Sequence, residues 1–148
     1  MIIQKTTVLP ACRDAVFQKL RKLETLQYIA WPFATFEPVG NAVFTWMVGS
    51  TSSYRFRLFG MISFGTHTIH IVRFNPEGIR SREANEHVPV WNHDIIMAPV
   101  DANHTEYTDR VEIRAGWKTA FIWVWANAFY AHRQRKWIRL LRDGNGCH

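Results

Sequence analysis

The chain has 148 residues, of which 47% are hydrophobic and 20% are charged, so its composition is that of one globular domain and excludes a disordered chain. The formal net charge of +6 would suit a nucleic-acid partner. Many of the cations, however, close one C-terminal helical segment, where they favourably meet the negative end of the helix dipole. No nucleic-acid-binding motif accompanies them, so we expect no nucleic-acid partner.

The chain order begins with a strand-like segment at residues 2–8, and residues 12–30 then have the apolar spacing of a helical part that ends before Pro32. Consecutive strand-like segments follow, and the short turns between them indicate an antiparallel sheet. After Gly116 the apolar period changes to 3.6 residues and predicts a helix over about 119–141, roughly 35 Å long. The predicted strands are at 33–40, 43–48, 53–62, 65–74, 79–86, 90–98 and 104–115.

This order predicts an α+β fold in a single domain over residues 1–148. A sheet with one apolar face must be covered, and the C-terminal helix is the only predicted element long enough to cover it. A strongly curved sheet wrapped around one helix leaves space between the two. We therefore expect an internal cavity, of the ~300–1,000 Å³ that is usual for ligand sites.

Two stretches support a family resemblance. VLPACRDAVFQKL leads into the first helix, and TEYTDRVEI precedes the last one. With the element order, they resemble the START-like (SRPBCC) superfamily over nearly the whole chain, and in particular its uncharacterised bacterial members. The resemblance implies a helix-grip fold, with two short helices after strand 1 and a curved antiparallel sheet around a long C-terminal helix. The superfamily includes lipid carriers, hormone receptors, pollen allergens, polyketide cyclases and oxygenase subunits, so the fold does not supply a reaction.

Strand alternation places Asp109 beside Tyr107 on the apolar face of its strand, where an unpaired carboxylate would be costly. If a tight turn lies near residues 101–103, Ile95 pairs with Asp109 and His93 becomes a diagonal neighbour of Asp109. Glu83, one strand earlier, could approach His93 from the other side.

The three side chains Glu83, His93 and Asp109 therefore form a candidate inward-facing polar cluster. The cluster can orient a polar group of a ligand or act as acid and base in the cavity. It can equally be a structural network that stabilises the sheet, and the sequence leaves both readings open.

The last helix has two predicted faces. One stripe, with Trp123, Ala126 and Tyr130, should face the sheet and line the cavity. The other face continues the basic side of the helix towards its N-terminus. There its residues are apolar, although this side should be exposed to solvent. We rank homodimerisation first as its role, cover by a loop second and membrane contact third. A membrane span is not expected, because the apolar run from 120 to 131 is shorter than the ~17–25 residues needed. The predicted dimer residues are Phe121, Val124, Trp125 and Ala128.

Metal sites, cofactor sites and targeting signals are not expected. His67 and His70 are three apart on a predicted strand, so they point to opposite faces and cannot chelate one ion. Without HExxH, CxxC, GxGxxG or P-loop patterns, we expect neither a metal nor another cofactor. The segment MIIQKTTVLPAC does not resemble a signal peptide. Cys12 and Cys147 have no CxxC spacing and are expected to be reduced thiols of a cytoplasmic protein.

The leading functional hypothesis is a domain that binds a small, largely hydrophobic ligand, such as a lipid, a polyketide or another aromatic or isoprenoid-like molecule. The first alternative is a cyclase or dehydratase that uses His93 with Asp109 or Glu83 for proton transfer. The second alternative is a protein–protein interaction module that uses the exposed helix patch. The predicted ligand-binding residues are Phe56, Trp91, His93, Ile95, Tyr107, Asp109, Trp123, Ala126 and Tyr130.

Overall fold

The computed structural model describes residues 1–40 and 46–142. The described strands form one seven-stranded antiparallel sheet in the order β1-β7-β6-β5-β4-β3-β2. This confirms the predicted α+β helix-grip fold, with two short helices after the first strand and one long helix at the end. In chain order the elements are β1 (Ile2–Leu9), α1 (Arg13–Leu20), α2 (Leu23–Ala30), β2 (Ala34–Pro38), β3 (Thr51–Leu58), β4 (Ile62–Asn75), β5 (Gly78–Asn85), β6 (Val88–Asp101), β7 (His104–Arg114), a 3₁₀ turn (Gly116–Lys118) and α3 (Thr119–Arg142).

Two predicted strands differ from the described elements. The segment predicted at 53–62 stops at Leu58, because Phe59 and Gly60 both have a positive φ and turn the chain into β4. Of the strand predicted at 43–48, residues 43–45 lie outside the described residues, and residues 46–48 are not in a strand. The predicted extent of the domain, 1–148, also includes residues outside the described part and stays a prediction.

The hairpin of β6 and β7 has the predicted register. Ile95 lies opposite Asp109, and His93 lies opposite Val111. An Asx turn fixes the connection, because the Asp101 side chain accepts a hydrogen bond from the backbone N–H of Asn103 at 2.8 Å. A shift by one residue would turn every inward side chain of the hairpin outward, so the turn and the register shift between Pro99 and Asp101 together decide which polar groups enter the core.

Helix α3 covers the concave face of the sheet with one side. Its buried positions recur at spacings of three and four residues, as expected for a helix with one apolar stripe. Trp137 is fully buried and packs its ring 5.7 Å from that of Tyr107 on β7. The buried residues of the helix are Ala126, Phe129, Tyr130, Arg133, Gln134, Trp137 and Leu141.

The predicted orientation of two tryptophans at the start of α3 is wrong. Trp123, which we expected in the cavity wall, is 38% exposed. Trp125, which we expected on the outer face, turns inward and stacks on Phe129 with 4.7 Å between the ring centroids. Trp125 and Phe129 are four residues apart and adjoin the stripe that begins at Ala126. Trp123 is seven residues before Tyr130 and so nearly in line with the buried stripe, and its exposure at the start of the helix is not explained by the helical rotation.

The remaining part of the predicted outer patch is exposed. Phe121 is 73% exposed and Val124 is 64% exposed, and Ala128 also faces outward. Trp125 does not belong to this surface, because rings of its own chain cover it. A homodimer through this patch stays a prediction.

Two observations bear on the expected cellular setting. Among the described residues, no helix combines the length and the apolar character that a membrane crossing needs. Cys12 is disulfide-bonded, so the expectation of a reduced thiol is wrong at this residue, while Cys147 lies outside the described residues. The predicted cytoplasmic location therefore loses the support of the cysteines and stays a prediction.

Candidate functional site

Four neighbouring strands each contribute one titratable side chain to a buried row. His67 of β4 places its Nε2 atom 3.2 Å from Oε1 of Glu83 on β5. Oε2 of Glu83 lies 3.7 Å from Nδ1 of His93 on β6. Nε2 of His93 lies 2.8 Å from Oδ1 of Asp109 on β7. The structure thus brings together the three residues of the predicted cluster and adds His67 as a fourth member.

His67 is a residue that the sequence reasoning missed. It was considered only as a partner of His70 for a metal ion, and the two side chains do lie on opposite faces, with His67 buried and His70 exposed. The available signal was its parity with Ile69 and Ile71, which are buried on the same strand. Among the described residues, no group of three or more His, Cys, Asp or Glu side chains could hold a metal ion.

The carboxylates of the row are ionised despite their burial. Burial alone would raise the pKa of Glu83, but the hydrogen bond and charge of His67, with further contributions from His93 and Ser81, lower it below its ordinary value. Burial would likewise raise the pKa of Asp109. The hydrogen bond from His93 and the charge of Arg133 outweigh that effect, so the pKa of Asp109 is lowered.

Asp109 is held from the helix side as well. Gln134 of α3 donates a hydrogen bond from Nε2 to Oδ2 of Asp109 at 3.2 Å, and it donates another to the backbone carbonyl of Lys5 at 2.8 Å. The Asp109 side chain has no exposed surface. It therefore acts as a fixed acceptor that joins the sheet to the helix.

Arg133 is the second residue that the sequence reasoning missed. It is only 5% exposed, and its guanidinium lies 5.2 Å from the ring centroid of Tyr130. Burial would lower the pKa of Arg133, but the charge of Asp109 and of neighbouring groups raises it, so the side chain stays a cation. The sequence signal is its spacing: Arg133 lies three residues after Tyr130 and four residues before Trp137, so the three side chains share one side of the helix. Its position among the cations of the helix end hides this signal.

Two adjoining cavities lie beside this row. The larger has a volume of about 70 Å³, and its apolar walls come from α2 and from strands β4 to β6. The smaller has a volume of about 20 Å³ and lies among the aromatic rings. Both are lined by Leu26, Ile69, Glu83 and Arg133. The space is smaller than the expected ~300–1,000 Å³ because Phe56, Trp91, Trp125 and Phe129 fill much of the gap between sheet and helix.

The predicted ligand-binding residues divide into two groups. Five of them line one of the two cavities: His93 and Ile95 the larger, and Phe56, Trp91 and Tyr130 the smaller. The other four line neither cavity. Asp109 and Tyr107 are covered by α3, Ala126 is buried in the helix interface, and Trp123 is exposed. Ligand contact at the predicted positions stays a prediction.

The hydrogen bonds of the row decide which atoms can meet a ligand. Both ring nitrogens of His93 face carboxylates, and Trp91 donates its indole N–H to the hydroxyl of Tyr130 at 3.0 Å. Five buried side-chain nitrogens have no hydrogen-bond partner within the described part of the chain. Two of them, Nδ1 of His67 and Nε of Arg133, belong to residues that line the smaller cavity. Buried polar atoms without partners are uncommon, so these two are the candidates to receive a ligand group there.

Solved structures share this fold at low sequence identity. A protein from Chromobacterium violaceum matches with a TM-score of 0.74 at 14% identity, over 95% of this chain and 96% of that chain. A START superfamily protein from Mycobacterium smegmatis matches with a TM-score of 0.72 at 13% identity, over 96% and 97%. DynU16, a protein in the dynemicin biosynthetic locus, matches with a TM-score of 0.64 at 16% identity, over 97% of this chain and 48% of that one. Identities this low show the fold alone.

Sequence comparison gives the family. No curated protein sequence matches the chain. A family model described as a domain of unknown function, DUF8410, matches residues 35–141, which include β2 to β7 and nearly all of α3. With the START-like fold that its structural neighbours share, the chain belongs to the DUF8410 family.

Proposed function

We propose that the domain binds a small, largely hydrophobic ligand between the sheet and helix α3. The observation that carries this proposal is the cavity of about 70 Å³, which has aliphatic walls and a few convergent polar groups. Ligand sites combine an apolar lining with a small number of polar groups that fix orientation. Ile69 and Ile95 represent the lining, and Glu83, His93 and Arg133 supply the polar groups.

The volume restricts the ligand. A cavity of ~150 Å³ can hold a benzene molecule, and the smaller space here suits a smaller molecule or one end of a longer one. A lipid, a polyketide or an aromatic molecule would require side chains to move. Leu26 is the plausible mover, because it lines both cavities and is only half-buried. The START superfamily neighbour and the neighbour from a biosynthetic locus support a ligand-binding role.

Native mass spectrometry of freshly purified protein tests this proposal, followed by denaturing extraction of bound molecules. We expect a mass above that of the chain, which Leu26→Trp abolishes because the larger side chain occupies both cavities. Tyr28→Trp, on the exposed side of the same helix, is the matched control and should keep the ligand. An unliganded wild-type protein that also gains nothing from a panel of small hydrophobic compounds would contradict the proposal.

Catalysis of the cyclase or dehydratase kind is the second candidate function. The observation in its favour is the position of His93, which lines the larger cavity and is held by Asp109 at 2.8 Å and by Glu83 at 3.7 Å. A histidine held in this way can transfer protons. Turnover of the extracted ligand with a bell-shaped pH–rate profile that His93→Ala removes would favour the enzyme. A ligand recovered unchanged would favour the carrier.

A role in protein–protein interaction is the third candidate. Phe121 and Val124 are largely exposed at the start of α3, and Trp117 beside them is 80% exposed. Sedimentation velocity at two protein concentrations tests the dimer, since self-association through this patch must depend on concentration. A strict monomer would exclude homodimerisation.

A further inference from the structure

The unpartnered nitrogens at the smaller cavity indicate the chemical class of the ligand. We propose that Arg133 and His67 together bind the carboxylic acid group of a small apolar acid. The inference rests on the proposed function, since it needs a ligand in the cavity, and it adds the head group that the ligand carries.

Arg133 supplies a buried donor. Its guanidinium is enclosed by the rings of Phe129 and Tyr130, whose centroids lie 5.7 and 5.2 Å away. In the described part of the chain, no carboxylate oxygen lies within 4.0 Å of it to form an ion pair, and its Nε has no hydrogen-bond partner. Elsewhere the guanidinium donates a hydrogen bond to the Tyr107 hydroxyl, which leaves the Nε–H as the donor that an acceptor atom of a ligand would satisfy.

His67 supplies the second contact. It is 2% exposed, and its Nε2 faces Oε1 of Glu83 at 3.2 Å. Because Glu83 is ionised and can only accept, Nε2 of His67 is the protonated nitrogen and donates to it. In the neutral ring the Nδ1 atom is then an acceptor, in the charged ring it is a second donor, and in both forms it has no partner in the described residues.

One donor and one acceptor beside the same small cavity match the two oxygens of a carboxylic acid. The acid accepts a hydrogen bond from Nε–H of Arg133 through one oxygen and donates its O–H to Nδ1 of His67 through the other. The proton can pass from the acid oxygen to Nδ1, which leaves a carboxylate between a guanidinium and an imidazolium. No other bond changes, and the total charge of the bound site is the same before and after this transfer.

The charges at the site also disfavour an amine, which is the main alternative head group. An amine would be drawn to Glu83, but both oxygens of Glu83 already accept hydrogen bonds, Oε1 from His67 and Oε2 from Ser81. An ammonium group would in addition lie beside the Arg133 cation, where like charges repel. An acid that enters as the neutral molecule adds no net charge to a site that already holds the carboxylates of Glu83 and Asp109.

The experiment compares two probes of one shape, isobutyrate and 3-methyl-2-butanone, in which a methyl group replaces the acid oxygen. Both are titrated into wild-type protein and followed by methyl NMR of the isoleucines. The side-chain N–H signal of Arg133 and the Nδ1 signal of His67 are recorded alongside. Ile69 lines both cavities and reports binding there, and exposed Ile2 reports non-specific effects.

We expect isobutyrate to bind at least tenfold more tightly than the ketone, and to shift both the Arg133 Nε–H and the His67 Nδ1 signals. Arg133→Gln should remove this preference, while Arg135→Gln, at an exposed position of the same helix, should keep it. Equal binding of the two probes would overturn the inference and leave the proposed function standing. If neither probe shifts the Ile69 methyl signal at about 100 mM, the result would count against both the inference and the proposed function.

Discussion

Asp109→Asn should destabilise the protein because it removes one of the two negative charges of the buried row, the one that contacts His93 and Gln134. Asp109 accepts from His93 at 2.8 Å and from Gln134 at 3.2 Å, and its charge holds up the pKa of Arg133. Removing one partner of a buried charged pair costs about 3–5 kcal/mol. The asparagine can still accept one hydrogen bond and costs less to bury, so we expect about 3 kcal/mol. For a chain of 148 residues this corresponds to a decrease in Tm of roughly 6–12 °C.

Urea unfolding followed by tryptophan fluorescence at pH 7 measures this change. The matched control is Asp101→Asn, because Asp101 and His104 form an exposed pair at the same 2.8 Å distance. Water screens that pair, so its loss should leave the midpoint close to that of the wild type. If Asp109→Asn shifts the midpoint no more than Asp101→Asn does, the buried network does not stabilise the fold electrostatically.

The remaining predictions concern acid stability and packing. The pKa of Asp109 is lowered in the folded state, so the charge of Asp109 stabilises the protein fully above about pH 4. The difference in unfolding free energy between wild type and Asp109→Asn should therefore decrease as the pH falls through the folded pKa, and a difference that is unchanged at pH 2 would contradict this. Trp125→Ala should lower the free energy of unfolding in urea by ~3 kcal/mol, because it removes the ring stacked on Phe129. Trp123→Ala, at an exposed position, should lower it by less than about 0.5 kcal/mol, and equal effects of the two variants would refute the inward position of Trp125. Tyr130→Phe should lower the free energy of unfolding by about 1–3 kcal/mol, because the indole N–H of Trp91 loses its acceptor. Tyr28→Phe should have little effect because Tyr28 is 37% exposed, and a Tyr130→Phe variant as stable as the wild type would show that this hydrogen bond is not needed.

The sheet could be predicted from the sequence because local chemistry determines it. The period of two along each strand separates an inner from an outer face, and Asp101 beside Asn103 defines one turn. The prediction placed the turn near residues 101–103, whereas the structure pairs Asp101 with His104 and reaches the predicted opposition of Ile95 and Asp109 through a register shift between Pro99 and Asp101. The predicted contact between His93 and Asp109 therefore depends on an irregularity that residue counting does not contain.

The buried face at the N-terminal end of α3 could not be predicted from the basic residues at its C-terminal end. Trp123 is seven positions before buried Tyr130 and about 20° from it around the helix, so the helical period favours an inward Trp123. The stacking of Trp125 on Phe129 reverses the two roles, and this packing is not contained in the period. Arg133 was missed because its charge was given more weight than its spacing from Tyr130.

The cavity volume depends on packing that a linear pattern does not contain. Inward-facing aromatic residues were predicted as walls around a large space. In the structure they interlock, as Phe56 and Trp91 do with Trp125 at centroid distances of 6.0 and 6.2 Å, and they occupy that space themselves. Interiors pack to a density that leaves few voids, so a predicted inner face does not give a volume.

The most direct test of the ligand-binding account is a methyl NMR titration with a neutral apolar probe, 3-methyl-2-butanone. The account predicts saturable shifts for the isoleucines that line the larger cavity, and none for the exposed isoleucines of the outer surface. Shifts confined to the exposed group, or no saturation at any methyl group, would contradict the claim that the interior is the binding site. The cavity group is Ile69, Ile71, Ile79 and Ile95, and the exposed group is Ile2, Ile62 and Ile96.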